Sequence, residues 1–151
     1  MRRIGSVLVL LGASLAQSAS TEPWPKADLI SASDLAAKLK TAHDGPVVLF
    51  VGFPVLYRGK HIPHAMMAGP ASKPEGLELL KRGVLKLAKN DEIVIYCGCC
   101  PFGKCPNVRP AYRELKKLGF EHVRVLEIPE NFHTDWVAKG FPAESEPGAA
   151  K

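Results

Sequence analysis

The chain has 151 residues, 46% of them hydrophobic and 23% charged, which is enough for one globular domain that buries a core without disulfide staples. Its formal net charge of +5 comes from scattered basic residues, which excludes a nucleic-acid surface built from clustered Lys and Arg. All the cysteines, Cys97, Cys99, Cys100 and Cys105, fall in one short stretch.

The N-terminus carries Arg2 and Arg3, then a mostly apolar run from Ile4 to Leu11, then Ser14-Leu15-Ala16. This is the pattern of a secretory signal peptide over residues 1–16 with a small-residue cleavage site. The apolar run falls short of the roughly 20 residues that cross a bilayer, so no stable membrane anchor is expected after cleavage. The expected location is exported, periplasmic or secreted, with the net charge reduced from +5 to about +3. Residues 17–26 are polar and proline-bearing and read as a mobile leader in which Trp24 is the one side chain suited to docking.

The domain proper is expected over residues 27–143. Leu29-Ile30 suits a short strand, Ser31 or Ser33 an N-cap, and residues 34–42 a helix with Leu35, Leu39 and Ala42 on one face. Asp44-Gly45-Pro46 stops it, and the apolar run 47–51 reads as a strand buried on both sides. Residues 52–73 are rich in Gly, Pro and His and read as a long structured loop. A helix is expected over 75–89, from Leu77, Leu80, Val84, Leu85 and Ala88, with Gly83 its weak point.

A second buried strand over 93–96 empties into the cysteine loop. A helix over 108–118 follows, ended by Gly119, with Pro110 tolerated in its first turn. Residues 123–126 suit another strand and 132–139 a short helix closed by Gly140. Residues 144–151 read as a frayed tail. Strands alternating with helices predict an α/β fold with a central, mainly parallel sheet and helices on both faces.

Three segments together resemble the rhodanese-like domain family. They are the strand, loop and helix from IVIYC at residues 93–97 to KKLGF at 116–120, YRGKHIPHA at 57–65, and WVAKGFP at 136–142. The resemblance implies the rhodanese-like three-layer fold and sulfur transfer. In that chemistry Cys97 takes sulfane sulfur from a small anionic donor, holds it as a persulfide and hands it to a thiol or other nucleophilic acceptor, with no cofactor. Loop N–H groups, Lys104 and Arg109 are the candidates to bind the anion and favour the thiolate. The stretch from Cys97 to the helix is about five residues longer than the family loop. Phe50-Val51-Gly52 stands where the family commonly has Asp-x-Arg. Glycine at position 103 removes the arginine that phosphatase chemistry requires.

The extra thiols leave other functions open. Cys99, Cys100 and Cys105 suit a resolving role in which a disulfide forms with Cys97, or a thiol–disulfide redox device. They also suit Cu(I) or Zn(II) ligation with help from His61 or His64, or a stapled, inactive interaction module. Four cysteines allow three full pairings, and because a vicinal Cys99–Cys100 bond is strained, links to Cys105 are favoured. Other polar residues have plainer readings. His61 serves a turn, and His64, His122 and His133 are surface or hydrogen-bonded histidines. Met66 and Met67 fill a core gap, and Phe132 and Trp136 anchor a helix. Glu127 and Asp135 are unpaired for acid–base work, with Asp135 near the site mouth.

Overall fold

A computed structural model describes residues 23–41 and 45–147. The expected signal peptide, and residues 17–22 of the expected leader, lie outside the described residues. Five strands form one parallel sheet in the order β1-β5-β4-β2-β3, made of β1 (Leu29–Ile30), β2 (Val47–Phe50), β3 (Met66–Met67), β4 (Glu92–Tyr96) and β5 (His122–Leu126). The central strand β4 pairs with β2 from Val47↔Ile93 to Phe50↔Tyr96, and with β5 from Glu92↔His122 to Ile95↔Val125.

Alternation along these strands sends side chains into two separate cores. Leu49, Val51, Ile93, Ile95, Val123 and Val125 face one layer with Leu80 of α3 (Pro74–Gly83) and Ala111 and Leu115 of α4 (Val108–Lys117). Val48, Phe50, Val94, Tyr96 and Leu126 face the other with Leu35 of α1 (Ala32–Thr41) and Trp136 of a π-helical turn at His133–Val137. The fold is therefore three layers, helices on sheet on helices. No helix among the described residues is long and apolar enough to cross a membrane.

Several boundaries differ from the sequence-based expectation. Helix α1 starts at Ala32 instead of 34, and of the two serines expected as its cap it is Ser31 whose Oγ accepts the Asp34 N–H, at 3.1 Å. The segment expected as loop over 52–73 holds both α2 (Pro54–Gly59) and β3. No residue of α2 is buried and β3 has only two residues, so neither writes a periodicity into the sequence. Helix α3 stops at Gly83 instead of reaching 89, and Leu85 is left exposed while Val84 enters the core.

Both ends of the domain are tied down. Trp24 packs edge-on against Tyr112 at 5.1 Å, so the described end of the leader is docked. The expected frayed tail is hydrogen-bonded in its first residues, because His61 and Glu144 exchange N–H···O bonds of 2.9 and 2.8 Å and Glu146 N–H donates to Arg58 O.

Candidate active site at the end of strand β4

Continuing the alternation of β4 by one residue past Tyr96 puts Cys97 on the α3/α4 side, in the same core as Ile93 and Ile95. It is 2% exposed and lies at the carboxyl end of the sheet's central strand. The chain then turns sharply at Gly98, φ +80°, where a Cβ would stand 2.7 Å from Phe132 Cβ. Gly98 O accepts the Phe132 N–H, which joins this turn to the helical segment near the C-terminus. Gly52, at the end of neighbouring β2, is needed for space: a Cβ there would lie 2.7 Å from Cys97 Sγ.

The loop folds its thiols into a cluster. Cys97 Sγ is 3.3 Å from Cys99 Sγ, which is 3.1 Å from Cys100 Sγ and 3.9 Å from Cys105 Sγ. All four are free thiols; Cys99 is exposed, Cys100 half-buried, and Cys97 and Cys105 buried. A 3-10 turn at Phe102–Lys104, whose Phe102 N–H bonds Ile128 O, carries the chain back so that Cys105 drops under Cys97.

Electrostatics divides the thiols. Cys105 is drawn down to about 6, first by the hydrogen bond with Cys97 and then by the backbone N–H groups of Asn107 and Val108. Those N–H groups belong to the amino end of α4, whose field favours a thiolate. Cys97 is pushed up, by the same hydrogen bond with Cys105 and by burial, while the Cys99 N–H opposes the shift. Burial and the bond with Cys99 push Cys100 up to about 12. The helix field that the sequence reading assigned to Cys97 therefore falls on Cys105, because the length of the loop puts Cys105 rather than Cys97 next to α4.

The expected N–H cradle is reduced for the same reason. The Lys104 and Cys105 N–H groups bond Pro101 O and Phe102 O within the loop. Around Cys97 the donors are the Cys99 N–H and Asn107 Nδ2, 3.4 Å from the sulfur. Asn107 is fully buried, and its Oδ1 accepts the Ser72 N–H at 2.9 Å, so it ties the thiol to the 65–73 segment. Sequence reading missed it. A polar residue after Cys-Pro reads as loop until the fold encloses it.

Above Cys97 opens a cleft of about 280 Å³ with Phe50, Val55, Leu56 and Phe132 as apolar walls and Lys60 and His133 among its lining groups. Neither expected anion-binding cation lines it. Arg109 lies over the Trp24 ring at 4.3 Å, and Lys104 is exposed on the 3-10 turn. Lys60, just before His61, is the cation that faces the cleft. A larger cavity of about 420 Å³ near Pro46, His64 and Met66 contains no thiol.

The remaining candidates are structural. His61 is buried, stacks on Tyr57 at 3.9 Å and bonds Tyr57 O through Nδ1 at 2.7 Å. His64 and His122 are exposed, as expected; His133 is exposed but borders the cleft. Asp135 is buried and accepts the Glu130 and Asn131 N–H groups, which shapes the turn bordering the cleft. Trp136 donates to Pro142 O at 2.8 Å. Met67 packs on the core, whereas Met66 is exposed on the sheet edge.

Solved structures share this architecture. The rhodanese-like domain of the Alr3790 protein from Anabaena sp. is 24% identical, with a TM-score of 0.59 over 82% of this chain and 83% of that one. The BH2092 protein from Bacillus halodurans is 22% identical, with a TM-score of 0.64 over 83% of this chain and 82% of that one. The chain has the fold of a rhodanese-like domain. A thiosulfate sulfurtransferase from Pseudomonas aeruginosa is 28% identical, with a TM-score of 0.58 over 88% of this rhodanese-like chain, which spans 22% of the length of that protein. No protein-family model matches the sequence, and no curated protein does.

Proposed function

We propose that this rhodanese-like protein is a sulfurtransferase that takes sulfane sulfur onto Cys97 as a persulfide. The observation that carries the reading is the placement of Cys97 at the end of the central strand, among the residues that line an open cleft, with Cys105, whose thiol is drawn down to about 6, beside it. Chemistry at the carboxyl ends of parallel strands is the general pattern of open α/β sheets.

The pair works as nucleophile and base. Cys105 accepts the Cys97 proton, and Cys97 attacks the outer sulfur of an anionic donor such as thiosulfate. The donor S–S bond breaks, sulfite leaves with the bonding pair, and the sulfur stays on Cys97. Lys60 draws the anion into the cleft. An acceptor thiolate then attacks the outer persulfide sulfur and frees Cys97. Alternatively the Cys105 thiolate attacks Cys97 Sγ, which forms a Cys97–Cys105 disulfide, expels hydrosulfide and requires an external dithiol for reduction. The N-terminal signal expected from sequence would place this exchange outside the cytoplasm.

Intact mass spectrometry of the reduced, metal-free protein after thiosulfate or polysulfide tests the reading. One added sulfur is expected on the wild type and none on Cys97→Ser; equal uptake by both would overturn it. A second reading, thiol–disulfide exchange without sulfur, draws on the 3.3 Å approach of buried Cys97 to exposed Cys99. It requires a reduction potential above about −300 mV and turnover without a sulfur donor.

A further inference from the structure

The Sγ atoms of Cys97, Cys99 and Cys105 all lie within 4.8 Å of one another, with the 97–99 and 99–105 separations at 3.3 and 3.9 Å. No other three His, Cys, Asp or Glu side chains converge in this way among the described residues, and no imidazole or carboxylate joins these three. We propose that this triangle of sulfurs is a three-coordinate binding site for Cu(I).

Distance, ligand number and ligand type each support that assignment. At metal–sulfur bonds of about 2.3 Å, three sulfurs around a trigonal ion stand about 4.0 Å apart. The 99–105 separation of 3.9 Å already meets this, and Cys99, on the exposed side of the loop, is the sulfur free to move outward from Cys97. Structural zinc sites close with four ligands in a tetrahedron. Cys100 Sγ is 3.1 Å from that of Cys99 and also interacts with Cys105, but it does not come within 4.8 Å of all three sulfurs, so the four thiols do not form a closed tetrahedron. A soft, all-sulfur, three-ligand set selects Cu(I) over Zn(II).

The surroundings fit a shielded ion that enters from one side. Cys97 and Cys105 sit in an apolar layer with Val51 and Val108, while Cys99 faces solvent. Asn107, held by Ser72, aims its amide N–H at Cys97 Sγ and orients that ligand. Binding forms three S–Cu bonds, releases to solvent whatever protons the three sulfurs still carry and leaves copper in the monovalent state. The site shares Cys97 with sulfur transfer but does not rest on that reading. Where both hold, a bound ion occupies the nucleophile and stops sulfur uptake.

The test is an anaerobic titration of the reduced full chain with Cu(I) in competition with a chromophoric Cu(I) chelator. The expected result is one ion per chain, a near-ultraviolet thiolate-to-copper band, and three sulfur neighbours by X-ray absorption. Cys99→Ser and Cys105→Ser should each weaken retention by about 100-fold or more. Cys100→Ser should stay within about 3-fold of the wild type. Cys99 is exposed, so its variant does not endanger the core. Failure to hold copper against the chelator would overturn the proposal, as would a Cys100→Ser loss equal to that of Cys99→Ser, or displacement of the copper by Zn(II). Sulfur uptake is measured on copper-free protein, so a negative result in either experiment leaves the other reading to stand or fall alone.

Discussion

The two faces of the sheet meet at the same carboxyl end of β4 but are built differently. On the α1 side, Phe50, Tyr57, Tyr96, Phe132, Trp136 and Phe141 form a chain of ring contacts between 5.1 and 6.1 Å. Their polar tips are all engaged: Tyr96 OH accepts the Ile62 N–H, Tyr57 OH donates to Ala65 O, and Trp136 Nε1 donates to Pro142 O. On the α4 side, small aliphatics surround sulfur and the buried Asn107. There the donors point at thiols, the groups on which both proposals rest. The aromatic face holds the frame and the thiol face keeps reactive groups in reserve, and only one residue separates them along the strand: Tyr96 faces one way and Cys97 the other.

That contrast can be broken in order of size. Trp136→Ala should cost about 3–5 kcal/mol, read as a lower denaturation midpoint, because a fully buried indole leaves a cavity. The pH profile of sulfur uptake by the molecules that remain folded should not move. Cys105→Ser should do the reverse. In the wild type, uptake should fall as pH drops through about 6, where Cys105 is expected to take up its proton. Without that base the buried Cys97 ionises alone, so the midpoint should rise to at least the ordinary thiol value of about 8.5, with a large loss of rate at neutral pH. The measurement is the rate of mass gain at Cys97 between pH 5 and 9.

Gly52→Ala affects both faces at once. Its Cβ would stand 2.7 Å from Cys97 Sγ and 2.8 Å from Phe50 Cζ, so a cost of about 1–3 kcal/mol should accompany slower sulfur uptake. Ser31→Ala is the smallest and the control. Removing the α1 cap should cost about 1 kcal/mol by urea denaturation and leave thiol reactivity unchanged.

The core strands were legible in the sequence because β2 and β4 are continuous apolar runs, which parallel strands buried on both sides require. Cys97 was legible for the same reason, as the first residue beyond such a run. Helix α2 and strand β3 were not, since an exposed six-residue helix and a two-residue edge strand leave no repeat to read. The partners of the basic residues were also hidden. Arg109 is close to the thiols in sequence, yet helical geometry carries its guanidinium round to Trp24, and Lys60 arrives at the cleft from a distant segment.

Taken alone, the sequence determined the α/β alternation and the position of Cys97 at a strand end, because both follow from hydrophobic period and local turn residues. Tertiary structure decided the strand order, the burial of Asn107 and the division of labour among the thiols. Each of these depends on where a loop's return path places a group relative to a helix end, a property of the enclosed space that no local pattern encodes. The cysteine nearest the helix amino terminus has its thiol drawn down, and the cysteine at the strand end has its thiol pushed up and borders the cleft.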